Sequence, residues 1–203
     1  MFRTVRGVLT AGLLLASLQP LNAHAQSATQ DLPSDLEVGD GFTPFLRAHA
    51  AGTQNYICLG TASGVEWRFI GPQATLFVTF PGGFDQQVAT HFLSPNPEEG
   101  GAPRATWQLS LDTSRVWARA VKTVDDPTVI GSGNIAWLLL QRVGSQAGPE
   151  GGSLLAQTRY IQRINTAGGK APAAGCAQIA DAGAVALVPY TTDYVFFKAA
   201  RTR

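Results

Sequence analysis

The sequence predicts an all-β protein, folded as a single-domain antiparallel β-sandwich or flattened barrel with little helix. Short runs in which polar and apolar residues alternate occupy most of the chain, and this period of two is the pattern of half-buried strands. Turn-forming Gly, Pro, Asn and Asp separate the runs at intervals of about ten residues, as in sandwiches and barrels. The sequence shows no amphipathic stretch of three helical turns, so a mainly helical fold is not predicted.

The first 25 residues have the organisation of a cleaved secretory signal peptide. Arg3 and Arg6 precede the largely apolar residues 8–18, and residues 23–25 (AHA) match the small-x-small pattern of a signal-peptidase site. The apolar run is too short to span a hydrocarbon core of about 30 Å, so a permanent N-terminal anchor is the less favoured alternative. We therefore predict cleavage after Ala25 and a secreted or periplasmic location.

Cleavage would remove 25 of the 203 residues and leave 178, which suits one domain. We assign residues 26–44, which are polar and interrupted by proline, to a flexible N-terminal arm, and residues 45–203 to a single β domain. Loss of two of the 15 basic residues leaves 13 against 14 acidic ones, with no basic cluster. No nucleic-acid partner is therefore predicted. No later segment is apolar enough to span a membrane, and the oligomeric state is not predicted.

The remaining cysteines, Cys58 and Cys176, are predicted to form a disulfide. Two cysteines in an exported chain pair more often than they stay free. A bridge closing so long a loop would restrict the unfolded chain by about 4–5 kcal/mol. Two buried, reduced thiols are the alternative.

The first predicted strands lie between residues 53 and 80. Residues 53–60 alternate between polar and apolar side chains, and residues 65–70 and 75–80 do the same. Gly71-Pro72 separates the latter two segments, so we predict two strands there. Residues 105–111 also alternate and lead, through Asp112-Thr113, into another strand, which is the pattern of a β-hairpin.

The second half of the chain contains less regular segments. Residues 135–143 (IAWLLLQRV) are apolar on both faces, as in a strand covered on each side, although a buried helix would also fit. Residues 152–164 are long enough for either a helix or a strand. Residues 184–200 are predicted as two β segments broken by Pro189.

Six motifs follow one another along most of the chain. They are Q-N-Y-x-C (54–58), a lone His91, T-W-Q followed by D-x-S (106–114), W-L-L-L (137–140), I-Q-R-I-N-T-x-G-G-x-A-P…C (161–176) and V-P-Y-T-x-D-Y-x-F (188–196). In this order they resemble a known family, the secreted bacterial and fungal proteins called DUF3455. The resemblance covers about residues 41–199, and it implies little about chemistry because that family has no established activity. The usual D-G-S turn of the family is Asp112-Thr113-Ser114 here, and a β-branched residue is strained wherever φ must be positive.

No cofactor or metal is predicted. Residues 131–136 spell G-x-G-x-x-A but precede a β-like run instead of opening a helix, so they read as a turn. Gly168-Gly169-Lys170 lacks the hydroxyl residue and the helix of a phosphate loop. Cleavage leaves His49 and His91 as the only histidines, and their spacing matches no metal motif. We interpret His91 as a packed or hydrogen-bonded sheet residue.

If the protein is an enzyme, the catalytic candidates are His91, Asp112 and Asp193, acting as acid–base groups on a carbohydrate or small molecule. Asp112 lies at a turn, where aspartate usually bonds its own backbone. Asp193 is expected to form a structural ion pair with Arg163, because an arginine left alone inside a sheet is costly.

Our first hypothesis is a non-enzymatic ligand-binding or envelope-associated module for an unknown small molecule or glycan. Trp117 shares a strand face with Arg115 and Arg119, so these three are candidate surface contacts, together with Arg163. The positions of the acid–base candidates distinguish the enzyme from the binding module, because an enzyme requires His91 and the aspartates to line one pocket. A pure scaffold would need no pocket.

Overall fold

A computed structural model describes residues 31–201, and the predicted signal peptide lies outside the described residues. Each strand pairs antiparallel with the next, and the last strand pairs with the first, which closes the sheet into a barrel. The strands are β1 (Phe42–Thr61), β2 (Gly64–Phe80), β3 (Phe84–Asn96), β4 (Ala102–Leu109), β5 (Arg115–Val124), β6 (Trp137–Gln146), β7 (Thr158–Gly168) and β8 (Val185–Ala199).

The all-β, antiparallel prediction is confirmed, and of the two predicted architectures the chain adopts the barrel. Closure gives every strand a neighbour on both sides over part of its length, so no strand is a free edge along its whole length. Within the described residues, helix is limited to one short α segment and four 3₁₀ turns, and none of it is long and apolar enough to cross a membrane. These segments are α1 (Pro127–Ile130) and the 3₁₀ turns Ser34–Leu36, Pro97–Glu99, Leu155–Gln157 and Ile179–Asp181.

Two predicted strand breaks are wrong. Strand β2 continues through residues 71–72, because a register shift between Asn55 and Tyr56 of β1 absorbs the irregularity. Strand β8 continues through Pro189. This proline lies just beyond the last β7–β8 pair, Gly168–Tyr190, where β8 has a neighbour on one side only. A proline is tolerated at such an edge because the missing N–H has no partner to lose.

The β-hairpin at Asp112-Thr113 is confirmed, and β4 and β5 pair on either side of it. Thr113 has a φ of 55°. The expected strain at this β-branched residue is therefore present in the turn.

The predicted N-terminal arm needs correction over its described part. Leu36 is fully buried, and its carbonyl accepts a hydrogen bond of 2.8 Å from Nε2 of Gln162 on β7. It packs with Ile130, Trp137 and Leu139 in a second hydrophobic cluster. Alternation along β6 places Leu139 on the face opposite Leu138 and Leu140 of the interior cluster, so this second cluster covers the outside of β6. Residues 135–143 are consequently buried on both faces, as predicted for a covered strand.

The disulfide between Cys58 and Cys176 is present, with an S–S distance of 2.00 Å. It joins β1 to the long connection between β7 and β8, across a sequence separation of 118 residues. Residues 152–164, for which the sequence allowed either a helix or a strand, form a 3₁₀ turn followed by the first part of β7.

The interior of the barrel has two chemically different parts. The apolar part lies toward the β4–β5 turn. It includes Leu155, whose N–H donates a hydrogen bond to Oγ of Ser114 beside that turn. The polar part lies toward the opposite end, where loops 131–136 and 168–169 meet in an Asn134–Gly169 bridge. The apolar part consists of Leu76, Leu109, Val116, Leu140, Leu155, Ile161 and Phe196. The polar part consists of Gln54, His91, Trp107, Arg163, Tyr190 and Tyr194.

Candidate functional site

The barrel wall opens between β2 and β3. The two strands pair from Phe80–Phe84 as far as Ala74–His91, and beyond that point they are no longer paired with each other. β2 stays paired with β1, and β3 stays paired with β4, so the strands diverge without losing their order. The divergence leaves a cleft of about 650 Å³.

The cleft combines apolar and neutral polar groups. Ile70 and Leu93 are 48% and 37% exposed and supply apolar surface at its rim. Leu93 lies so close to Gly71 that a Cβ at residue 71 would be 3.1 Å from its side chain, and the φ of +143° at Gly71 also favours glycine. The other lining residues are Ala51, Gly52 and Asn55 of β1, Pro72, Gln73, Ala74 and Thr75 of β2, and Thr90, His91 and Phe92 of β3.

His91 belongs both to the cleft lining and to the polar part of the interior. Burial lowers the pKa of His91 to about 3, so the imidazole is neutral. Its Nδ1 lies 2.9 Å from the carbonyl oxygen of Thr106 and must therefore carry the proton that it donates there. The ring stacks on Trp107 at a centroid distance of 4.2 Å. The prediction of a packed, hydrogen-bonded sheet residue is confirmed.

The tautomer of His91 leaves Nε2 as a hydrogen-bond acceptor. No partner for this nitrogen occurs among residues 31–201. His91 thus presents a neutral acceptor at the boundary between the cleft and the interior.

Arg163 does not form the predicted ion pair with Asp193. The register of β7 and β8 places Arg163 opposite Tyr194 and places Ile164 opposite Asp193. Because neighbouring residues of a strand point to opposite faces, Arg163 faces the interior and Asp193 faces outward. The guanidinium donates instead to the carbonyl oxygen of Ala136, from Nε at 3.1 Å and from Nη2 at 2.8 Å.

Four buried side-chain atoms around Arg163 form no hydrogen bond of good distance and angle within the described structure, although Tyr190 lies close enough to interact with Tyr194 and Gln54, and Tyr194 with Arg163. The four atoms are Nε2 of Gln54, Nε1 of Trp107 and the hydroxyls of Tyr190 and Tyr194. Burial raises the pKa of both tyrosines, and for Tyr194 the neighbouring Tyr190 raises it further while Arg163 lowers it. The phenols therefore stay neutral. Most buried polar groups in proteins are satisfied, so four unsatisfied groups in one place require an explanation.

Asp193 forms a separate polar cluster on the outside of the barrel. It accepts hydrogen bonds from Arg47 at 2.9 Å and from Asn165 at 2.9 Å, and its Oδ1 lies 3.0 Å from Nδ1 of His49. Burial raises the pKa of Asp193, but the hydrogen bonds from Arg47, Asn165 and His49 outweigh this and hold it below its ordinary value. Asp193 is therefore an outward-facing carboxylate that already has three partners.

Asp112 lies at a third place, in the β4–β5 turn. Its Oδ1 accepts hydrogen bonds from the N–H and the hydroxyl of Ser114, and its Oδ2 accepts one from the N–H of Leu154. Burial raises its pKa, but these hydrogen bonds from Leu154 and Ser114 outweigh that and lower it overall. His91, Asp112 and Asp193 consequently do not line one pocket.

The expectation that Trp117 is exposed is wrong. Only 2% of it is accessible, and its Nε1 donates to Oγ of Ser94 at 2.9 Å. The alternation of side chains along β5 places Trp117 on the outer face of the sheet, as predicted, but other residues cover this face. Asn96 donates to the carbonyl of Val143, beside Gly144, the pairing partner of Trp117.

The two flanking arginines have different surroundings. Nε of Arg115 donates to Oε1 of Gln108 at 2.9 Å, whereas Arg119 is exposed. With Trp117 buried, these three residues do not form a shared contact surface on the strand.

Gln54, Tyr190 and Tyr194 were not among the predicted site residues, and the cleft was not predicted. A signal for these three residues was nevertheless present. Each of them falls within one of the motifs that carry the family resemblance, as do His91, Trp107 and Arg163. Those scattered motifs therefore meet in the polar part of the interior.

Comparison with known proteins identifies a family and nothing more specific. A family model, DUF3455, described as a protein of unknown function, matches residues 39–198. No curated protein and no solved structure matches the chain.

Proposed function

The chain belongs to the DUF3455 family, and from the geometry of its barrel wall we propose that it is a secreted or periplasmic, non-enzymatic binding module. Its ligand is a small neutral molecule or a neutral glycan, which occupies the cleft between β2 and β3. The observation that carries the proposal is the divergence of these two strands into a concave space of about 650 Å³, a size typical of small-molecule sites.

The lining of the cleft supports a neutral, hydroxyl-bearing ligand. It contains amide and hydroxyl side chains such as Asn55, Gln73, Thr75 and Thr90, and no Lys, Arg, Asp or Glu. Within the described structure, the diverging backbones of residues 71–73 and 92–93 also have no partner strand on the cleft side. Their C=O groups, and their N–H groups except at Pro72, can therefore bond a ligand. An ionic ligand would lose its hydration here without gaining an opposite charge.

A binding role also fits the positions of the acid–base candidates better than catalysis does. The catalytic alternative needs His91, Asp112 and Asp193 close together. One of them faces inward, one faces outward and one holds a turn, and the two aspartates already have hydrogen-bond partners.

The test is a ligand-observed NMR screen of neutral sugars, oligosaccharides and small metabolites against the exported chain, purified without reductant. We expect saturable binding without turnover. The variant Ala51→Trp should fill the cleft from an exposed strand position and weaken binding at least about tenfold, since it removes the buried contact area. Ala120→Trp, which adds the same bulk at an exposed position on β5, is the matched control.

Two results would contradict the proposal. One is saturable binding that Ala51→Trp leaves unchanged, which would place the ligand elsewhere. The other is product formation that Ala51→Trp abolishes, because this would make the cleft an active site. Loss of that product in His91→Ala would assign the chemistry to the imidazole.

A further inference from the structure

Arg163 is a partly buried cation without an anion. Within residues 31–201 it forms no ion pair, and the only acceptor that it meets with good hydrogen-bond geometry is the carbonyl oxygen of Ala136, beside a weaker interaction with the hydroxyl of Tyr194. A carbonyl satisfies part of the guanidinium but does not neutralise its charge, and a buried charge without a counter-charge is costly.

The groups that surround Arg163 are neutral and do not compensate its charge. His91 is neutral because burial lowers its pKa to about 3, and burial raises the pKa of Tyr190 and Tyr194. Asp193, the nearest acidic residue along β8, faces outward and already has three partners. The polar part of the interior therefore carries a net charge of about +1 that nothing in the described structure balances.

The same region contains unused hydrogen-bond donors. Nε2 of Gln54, Nε1 of Trp107 and the hydroxyls of Tyr190 and Tyr194 are buried, and none forms a hydrogen bond of good geometry within the described structure. The two hydroxyls interact weakly with each other, and Tyr190 also interacts weakly with Gln54. Gln54, Tyr190 and Tyr194 are 3%, 2% and 0% exposed, so bulk water does not satisfy them. Every one of these groups can donate a hydrogen bond, and an uncompensated positive charge with converging donors is the chemistry that binds an anion.

The end of the barrel that covers this region is closed tightly over it. A Cβ at Gly169 would lie 3.0 Å from Ile135, 3.0 Å from Tyr190 and 3.1 Å from Gln54. The hydroxyl of Tyr56 donates to the carbonyl oxygen of Gly169 at 2.7 Å and holds this loop in place. An occupant must therefore be small, and the opening between β2 and β3, which His91 shares, lies next to it.

We propose that the polar part of the barrel interior is a binding site for one small anion, a halide or a small carboxylate. Arg163 provides the charge, and the hydroxyls of Tyr190 and Tyr194 with the amide of Gln54 provide the donors. This site is distinct from the neutral-ligand cleft, because only His91 borders both and the groups that would bind the anion do not line the cleft. Ordered water alone is the competing occupant.

The experiment measures chloride binding to the exported, oxidised chain by the broadening of the ³⁵Cl NMR line, with formate as competitor. Ionic strength is held constant with gluconate, which is too large for the site. We expect saturable broadening that formate displaces and that Arg163→Met abolishes. Arg68→Met removes an exposed arginine, whose side chain is 60% exposed, and should leave the broadening unchanged.

If Arg163→Met does not fold, the variant Tyr190→Phe still tests the proposal. It removes one donor hydroxyl and should weaken chloride binding about tenfold, the usual effect of losing one hydrogen bond to a charged group. Broadening that does not saturate in the unmodified chain, or that is equal in Arg163→Met, would overturn the proposal and leave water as the occupant. Equal affinity in Tyr190→Phe would overturn the assignment of this hydroxyl as a donor.

Discussion

The two parts of the barrel interior are built by the same strands but have opposite chemistry. In the apolar part, side chains such as Phe196 and Leu76 are fully buried and have no polar atoms to satisfy. In the polar part, a similarly buried set includes four polar atoms that form no hydrogen bond of good geometry, beside a guanidinium that has no acidic partner among residues 31–201. The first arrangement contributes stability through burial of apolar surface. The second reduces it, because unsatisfied buried groups cost free energy, as commonly happens where a site is kept for binding.

The largest effect is expected in the apolar part. Phe196→Ala should lower the free energy of unfolding by about 3–5 kcal/mol, because it removes a buried ring and leaves a cavity. Leu111→Ala is the matched control, since Leu111 is 81% exposed and should change stability by less than about 0.5 kcal/mol. Chemical denaturation of both variants measures the difference. Similar midpoints for the two would contradict our description of this part as the stabilising core.

The next effect is a pH dependence that originates in the polar part. The pKa of His91 is about 3 in the folded chain and 6.5 for the free imidazole. Between these values the unfolded chain binds a proton that the folded chain does not, so stability falls as pH decreases from 6.5. The slope from this group is at most about 1.4 kcal/mol per pH unit.

Denaturation at several pH values between 6.5 and 5.5 measures this slope before the carboxylates of the unfolded chain take up protons. The lowered pKa values of Asp112 and Asp193 act in the same direction but at lower pH. His91→Gln should flatten the curve within this window. An equally steep curve in that variant would show that His91 is not the source.

A smaller effect is expected at the turn that closes the apolar end. Thr113 has a φ of 55°, which strains a β-branched residue. Thr113→Gly should raise stability by about 0.5–1 kcal/mol, as relief of strain outweighs the greater entropy of glycine in the unfolded chain. Asn165, with a φ of 54°, is the comparison. Asn165→Gly should gain less, because asparagine tolerates this conformation and its bond to Asp193 is lost. Calorimetric melting temperatures distinguish the two.

The smallest effect is expected from Tyr190→Phe in the absence of small anions. Its hydroxyl forms no hydrogen bond of good geometry within the described structure and interacts only weakly with Tyr194 and Gln54, so its removal should change stability by less than about 1 kcal/mol or increase it slightly. Denaturation in gluconate buffer measures this. A decrease of more than about 2 kcal/mol in the free energy of unfolding would show that the hydroxyl has a hydrogen-bond partner. It would contradict our description of the polar part as unsatisfied.

Sequence reasoning performed well where the pattern is local. The alternation of residues 75–80 and 105–111 and the turn at Asp112-Thr113 predict strands and a hairpin that the structure contains. The pairing of Cys58 with Cys176 followed from compartment and number alone. The predicted strand breaks at Gly71-Pro72 and Pro189 were wrong. A register shift in β1 accommodates Gly71-Pro72 within β2, and Pro189 lies where β8 is unpaired with β7, so neither residue ends its strand.

Predictions about side-chain partners were less successful, because they depend on register and on layers outside the sheet. Arg163 and Asp193 lie on adjacent strands, yet a register offset of one residue sends them to opposite faces. Trp117 faces outward, but Asn96 and the following turn cover that face. The alternation of polar and apolar residues along a strand specifies neither its register with the next strand nor the loops that cover it.

The sequence by itself determined the strand pattern, the disulfide and the membership of a family, because each depends on residue types at fixed local spacing. Only the tertiary structure decided that the sheet closes, that β2 and β3 diverge, and that Gln54, His91, Arg163, Tyr190 and Tyr194 meet inside. These residues lie as far apart as positions 54 and 194 in the chain. Pairing of β8 with β1 closes the barrel and turns alternate side chains inward, which brings such distant residues together.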